Sequence, residues 1–528
     1  MAPRRPISPQ SWEWKGASRL EILSFQPVRR HARHFAVVTA AIVPSLLYLV
    51  FVSHYSVNVP YADDWAMIPV ANSALHGHLS IHQLWFQWAD TRLFIPALVF
   101  VTFAQVDHLN VQAVLLFSAG IFIASYLLLL VLLSSYLTKR LTFLPVFVIG
   151  IVWFSLVDVQ NALWSFQVAW YLATFFFVAM IAALMIPSHH RSIFLGLGIV
   201  AAVAGSYSII QGFVLWPIGL ICVLWKGPWG RRTYFEMATW IGAAAVTIFI
   251  YLRGFYTANV ECPQTPSCSP SFGVLHPLVL ARYITLLAGN VVPTSFYAVH
   301  PDILVHEVLG TGILMAAAFV VVQSIRERRE RANPLPLLLI LFGALFDLAI
   351  AIGRVGGGLT GALNDNRYTM PNLILLCGVV IYAFGRPLQL RLRFRRAAGH
   401  RWVETLGFAV LGAFLVVQCV VTTSFGIGNA RATHQTHEID ARVVVNFQNI
   451  PMAQQSCDAS FAVLPLFNPA DAFQYLHLYR NEIASSHLSV FEPSTQRLYA
   501  SQGLPTKRAI IGAADFAAVP TQWRVTCR

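Results

Sequence analysis

Hydrophobic runs of about twenty residues recur along nearly the whole chain, and short arginine-rich segments separate them. A helix needs roughly 20 apolar residues to cross a hydrocarbon core about 30 Å thick, and it must satisfy its own backbone polar groups while doing so. A chain that repeats this unit folds as a bundle of membrane-spanning helices. With 57% hydrophobic and 11% charged residues and a mean hydropathy of +0.62, the composition excludes an ordinary soluble domain.

The formal charge of +13 suggests nucleic acid until its placement is read. Arg4, Arg5, Lys15, Arg19, Arg29, Arg30 and Arg33 precede the first run. Lys139 with Arg140, Arg191, and Lys226 with Arg231 and Arg232 follow later, then Arg326 to Arg331 and Arg386 to Arg401. This is the pattern of cytoplasmic loops under the positive-inside rule, so a nucleic-acid partner is not expected. Placing every cluster on the cytoplasmic side predicts about 11 spans in an inner (cytoplasmic) membrane, near 35–53, 111–137, 141–157, 168–187, 193–210, 212–226, 237–252, 304–324, 334–352, 369–385 and 402–425. The N-terminus is then cytoplasmic and the C-terminus extracytoplasmic. Stretches 93–106 and 274–292 break the alternation and are read as helices lying at the outer interface.

The expected organisation is a basic cytoplasmic tail over 1–34, a transmembrane bundle over 35–425 with external loops 54–110 and 253–303, and an extracytoplasmic C-terminal domain over 426–528. The N-terminal segment is not read as a cleaved signal peptide, because no small-residue cleavage site follows its first apolar run. The fold class is an all-α polytopic membrane protein carrying a small α/β domain, the latter from a strand-like piece at Phe461 to Leu466 and a helical piece at Asp471 to Ile483. Cys457 with Cys527, and Cys262 with Cys268, are candidate disulfides outside the cytoplasm. Cys222, Cys377 and Cys419 fall within spans as small buried side chains.

Three external segments carry candidate chemistry. The first holds Tyr61-Ala62-Asp63-Asp64-Trp65, an expected helix over Ile81 to Trp88 capped by Ser80, and Asp90-Thr91-Arg92. Adjacent carboxylates cannot both point the same way on a regular element, so one faces a cavity while the other caps a helix or pairs with Arg92; Asp63 is the preferred base. The second is the turn with Asp158, Gln160, Asn161, Trp164, Gln167 and Trp170, where positions 160, 164 and 167 are expected on one helical face. Such a stripe hydrogen-bonds and stacks on a sugar, although tryptophans at this depth also serve as interface anchors. The third runs Gly353-Arg354-Val355-Gly356-Gly357-Gly358 to Asn366-Arg367-Tyr368, where planar guanidinium forks suit phosphate oxygens. Asp347, seven residues before Arg354, is a candidate ion-pair partner for it. His76, His78 and His82 are ligand-type residues, yet loop histidines usually hydrate, and no metal or other cofactor is required.

Taken together, Tyr61-Ala62-Asp63-Asp64-Trp65 with Asp90-Thr91-Arg92, Gln160 to Gln167, Gly353-Arg354 and Asn366-Arg367-Tyr368 resemble the GT-C superfamily of polyprenyl-phosphate-sugar-dependent glycosyltransferases, in a poorly characterised bacterial polytopic branch. The resemblance covers spans one to ten. It implies a GT-C-like bundle and transfer of a sugar from a polyprenyl-phosphate-linked donor to a lipid-linked or cell-envelope glycan acceptor. Asp63 or Asp64 would be catalytic, with Arg92, Gln160, Asn161, Trp164, Gln167, Arg354, Arg367 and Tyr368 binding substrate. The competing classes are a transporter or flippase of a lipid-linked saccharide, disfavoured by the lack of an internal repeat, and a membrane-anchored binding or assembly protein.

Overall fold

A computed structural model describes residues 26–137, 141–186, 190–225, 230–256, 270–293, 302–327, 333–385, 400–447 and 479–501. Among these residues the chain is helical almost throughout, and nine helices are long and apolar enough to cross a membrane: His34–Tyr55, Val111–Tyr136, Phe143–Leu163, Ser165–Met185, Arg231–Leu252, Ile303–Arg326, Leu335–Gly357, Asn366–Gly385 and Leu406–Asn446. This is an all-α polytopic architecture.

The difference from the expected count lies mainly in one place. The spans anticipated at 193–210 and 212–226 are the 16-residue helices Arg191–Ser206 and Ile210–Trp225. At 1.5 Å per residue each rises only about 24 Å. They fold tightly on each other: a Cβ on Gly212 would lie 2.0 Å from the Gly205 carbonyl oxygen. The two stretches set aside as interfacial are the short helices Phe94–Asp107 and Pro277–Gly289.

Packing follows from residue size. Around Phe122 the rings of Tyr48, Trp153, Phe154 and Tyr171 gather at centroid separations of 4.7 to 5.7 Å, and the Tyr48 and Tyr171 hydroxyls bond at 2.6 Å. Phe177 stacks on Phe342 at 3.9 Å. Where Pro277–Gly289 crosses Ile303–Arg326 the contact is backbone on backbone. A Cβ on Gly310 would sit 1.8 Å from the Thr285 carbonyl oxygen, so only glycine permits this approach.

The last helix departs most from expectation. It does not end near 425 but runs unbroken over His400–Asn446, 47 residues or about 70 Å, twice the thickness of a hydrocarbon core. No proline interrupts it, and its polar second half lies along one end of the bundle. Gln418 Nε2 donates to Ser155 Oγ at 2.9 Å, Gly426 fits against Leu156, and His434 Nδ1 lies 3.0 Å from the Tyr55 carbonyl oxygen. Residues 479–501 are turns and short helices packed on the loop after the first span. The segment Phe461 to Leu466, Cys457 with Cys527, and Cys262 with Cys268 lie outside the described residues.

Candidate functional site

The acid pair sits on a single 3-10 turn, Ala62–Met67. The turn is entered through Ala62 at φ +47°, a left-handed conformation that costs a residue with a Cβ roughly 1 to 2 kcal/mol. The two carboxylates have different surroundings. Asp64, 2% exposed, accepts from the Tyr61 backbone N–H at 3.0 Å and from Ser165 Oγ at 2.6 Å, and so closes the turn as a capping residue. Burial pushes its carboxyl up to about 7 against these bonds, with a smaller upward push from the Asp63 charge. Asp63 is half-buried. Trp65 is fully buried beneath them.

The remainder of that loop is shorter in helix than its sequence suggests. The expected helix over Ile81 to Trp88 stops at Leu84; Ser80 Oγ caps it by accepting from Gln83 N–H at 3.3 Å. A two-residue hairpin follows, Gln87–Trp88 against Thr91–Arg92, turned by Ala89 at φ +47°. Arg92 does not reach the acid pair. Its guanidinium donates to the carbonyls of Trp85, Tyr251 and Arg253 at 2.8 to 2.9 Å, holding the hairpin on the helix Arg231–Leu252. His76, His78 and His82 are exposed.

The second segment is not one helix. A short helix Val159–Leu163 ends at Trp164, which is extended at φ −123° and ψ 113°, and a 3-10 turn Ser165–Gln167 follows. Gln160, Trp164 and Gln167 therefore do not form the expected stripe. Gln160 Oε1 accepts from the Arg367 N–H at 3.0 Å. Asn161 Nδ2 donates to the Arg367 carbonyl at 2.9 Å and to Asp158 Oδ1 at 2.6 Å. The two amides clamp the Arg367 backbone, and its guanidinium lies 5.3 Å from the Trp164 ring and 5.1 Å from the Tyr368 ring. Gln167 is buried. Trp170 packs inside the bundle against Phe346 and Tyr368 instead of anchoring at an interface.

The third segment brings Arg367 to this layer and Arg354 to the hairpin. Arg354 Nη2 lies 3.9 Å from Asp90 Oδ2. It does not pair with Asp347, which is fully buried and accepts from Asn372 Nδ2 at 3.1 Å. Arg367 Nη2 lies 3.5 Å from Asp365 Oδ2 and donates to the Tyr368 hydroxyl at 3.2 Å.

His437 in this layer, and Asp440 about one turn further along the same helix, went unread in the sequence. His437 and Asp440, on the polar half of the long helix, are 3% and 0% exposed. The His437 ring lies 4.6 Å from that of Tyr61, which in turn meets Trp164 edge-on at 5.7 Å. Their spacing of three residues in a helix was the available signal. No family model, no curated protein and no solved structure matches this chain.

Proposed function

We propose that the chain is a membrane glycosyltransferase that moves a sugar from a polyprenyl-phosphate-linked donor to a lipid-linked or cell-envelope glycan acceptor. The observation carrying this reading is the convergence, at one end of a helical bundle, of an acid pair, an aromatic layer and Arg367. Asp64 bonds Ser165 next to Trp164, Trp164 meets Tyr61, and Arg367 lies over Trp164. In the orientation assigned from the basic clusters, this end faces outward from an inner membrane, with the N-terminus cytoplasmic.

Chemically, the acceptor hydroxyl oxygen attacks the anomeric carbon while its proton passes to the Asp63 carboxylate, the half-buried member of the pair. The bond from the anomeric carbon to the phosphate oxygen breaks, and its electron pair leaves with the polyprenyl phosphate. Arg367 and Arg354 stabilise that developing charge with charge-assisted donors. Asp64, tied to Tyr61 and Ser165, fixes the turn that presents Asp63. A single displacement inverts the anomeric centre. General-base assistance of this kind contributes about 10² to 10⁴ in rate.

The test is transfer from polyprenyl-phosphate-linked sugars by the purified chain in lipid nanodiscs, with Asp63→Asn and Asp64→Asn assayed separately and together. Loss of transfer in at least one folded single variant supports the base. Full activity in all three removes it. Asp347, buried inside a span, favours transport as the second reading; movement of a labelled lipid-linked saccharide across vesicles without any transfer would decide for it.

A further inference from the structure

Between the apolar half of the long helix and the bundle lies an open groove of about 520 Å³. Its walls are the helix Phe143–Trp153, the end of Met370–Gly385 and residues 408–420 of the long helix. No lining side chain is charged or carries an oxygen or a nitrogen. The groove opens where the long helix parts from the bundle. Gln418 bonds Ser155 and Gly426 meets Leu156, whereas Leu406 and Val410, two to three turns before Gln418, are 66% and 61% exposed.

The two ends of the groove differ. Gln418 and Ser155 are both buried, and along both helices their bond stands between the groove and the layer of the acid turn. Val152 and Val416 lie on one side of it, Asn161 and His437 on the other. The opposite end is framed by Leu144, Phe384 and Phe408, which Lys139 with Arg140, Arg386 and Arg401 flank in the sequence. In the orientation assigned from the basic clusters, that end faces the cytoplasm and the groove lies in the cytoplasmic leaflet.

Size selects the occupant. From Phe408 to Val420 the long helix rises about 18 Å, close to one leaflet of a hydrocarbon core about 30 Å thick. Spread over that length, 520 Å³ leaves a section of roughly 30 Å², about 5 to 6 Å across. A helix of a second copy, about 10 to 12 Å wide with its side chains, does not enter. Water finds no polar partner there. One hydrocarbon chain, with carbons roughly 3.5 to 4.0 Å from the wall atoms, fills it. A polyprenyl tail whose phosphate met Arg367 would have to cross the Gln418–Ser155 bond, so the chain comes from the adjoining leaflet, where basic residues attract anionic headgroups.

We propose that this groove holds one acyl chain of a cytoplasmic-leaflet phospholipid, and that the chain wedges the long helix against the bundle. The inference rests on the assigned orientation and is independent of the transferase reading. Such a wedge stabilises by mass action, because it binds the folded chain and not the unfolded one.

The test places the full chain in nanodiscs of phosphatidylcholine and phosphatidylglycerol, doped with a phosphatidylglycerol whose acyl chain carries a diazirine. Photolysis and peptide mass spectrometry then map the cross-links. They should concentrate on groove residues such as Val148, Leu411 and Leu415, about tenfold over Phe235 and Phe249, which are each 70% exposed on the helix Arg231–Leu252. Gly412 lines the groove, and a Cβ there would meet nothing within 4 Å, so Gly412→Phe fills the space without moving backbone. That variant should lose the groove cross-links and keep those on Phe235 and Phe249, whereas Gly412→Ala should keep both. In detergent, added phosphatidylglycerol should raise the unfolding temperature of the parent by several degrees and that of Gly412→Phe by little. Cross-links spread evenly over the groove and the open face, or groove cross-links that persist in folded Gly412→Phe, would overturn the proposal. So would displacement of the probe by an equal mole fraction of polyprenyl phosphate, which assigns the groove to that lipid, or a dimer that Gly412→Phe dissolves, which assigns it to a second copy. The parent's cross-link map decides even where Gly412→Phe does not fold.

Discussion

Asp64 gives the sharpest physical expectation, because its environment differs from that of its neighbour by a single position in sequence. A solvated aspartate titrates near 3.8, and in the folded chain burial brings Asp64 to about 7. As pH rises from 3.8 the unfolded chain gives up this proton and the folded chain keeps it, so the folded state loses about 1.4 kcal/mol for each pH step. The stabilising contribution is complete below 3.8 and is exhausted as pH passes 7, a swing of about 4 kcal/mol. Between pH 5 and pH 8 the share still to be lost is about 3 kcal/mol. Asp64→Asn removes that slope and, by disturbing the bonds to Tyr61 and Ser165, costs about 1 kcal/mol that does not vary with pH. Denaturant titration in mixed micelles should therefore show the stability of the parent chain relative to Asp64→Asn falling from pH 5 to pH 8 by that amount. Infrared difference spectra between the two proteins should show one carboxylic acid C=O band vanishing with a midpoint near 7. The Asp63 charge raises this midpoint, so Asp63→Asn should move it down. Parallel pH profiles for parent and Asp64→Asn, or a band that vanishes below about pH 5, would refute the account of Asp64 as a carboxyl whose burial outweighs its hydrogen bonds.

Arg92→Lys should lower stability by about 3 kcal/mol, since one ammonium cannot serve the three carbonyls held by the guanidinium; an unchanged unfolding temperature would deny it a stapling role. Asn58 accepts from the Val111 N–H at 2.8 Å and donates to the Ser489 carbonyl at 3.1 Å and to Thr495 Oγ1 at 2.8 Å. Asn58→Ala should release residues 489–495, measured as hydrogen exchange accelerated by about 10²-fold there but not in the bundle, corresponding to roughly 2 to 3 kcal/mol. Gly310→Ala should cost about 3 kcal/mol or more, because its Cβ meets backbone at Thr285; wild-type expression and heat stability in detergent would count against the close crossing.

Much of the bundle was legible because a bilayer demands long apolar runs, and such runs cannot be hidden in a sequence. What escaped was set by other forces. Hydropathy marks a span but not its length, so the tight pair around Gly205 and Gly212 reads like two full crossings. Hydropathy also falls silent where a helix leaves lipid, which is why the polar turns from Gly426 to Asn446 resembled the start of a separate domain. The break at Trp164 leaves no breaker residue in the sequence; the packing of Asp64 on Ser165 and of Arg367 on Gln160 and Asn161 accompanies it. Partner choice between helices was equally invisible. Asp347 had Arg354 at helical spacing, and Asn372 on another helix takes it instead. The acid pair stood out as a motif, and only its three-dimensional neighbours separate a capping Asp64 from a more accessible Asp63. His437 and Asp440 were recoverable in principle from their spacing, had residues 426–446 been recognised as helix.

The clasp of the C-terminal segment on the first loop has a consequence for how the protein is made. Asn58 bonds the backbone of Ser489 and the side chain of Thr495, and Asn72 Oδ1 accepts from Ser486 Oγ at 2.7 Å. More than four hundred residues separate the members of each pair. At about 5 to 20 residues per second, the loop waits roughly 20 to 90 s before its counterpart is synthesised. During that interval the helices can insert and pack while the acid-bearing turn stays hydrated and open. A ribosome that stalls in the closing stretch would leave a chain that passes for a finished membrane bundle yet has an uncovered first loop, so surveillance proteases should distinguish the two by cleavage within that loop.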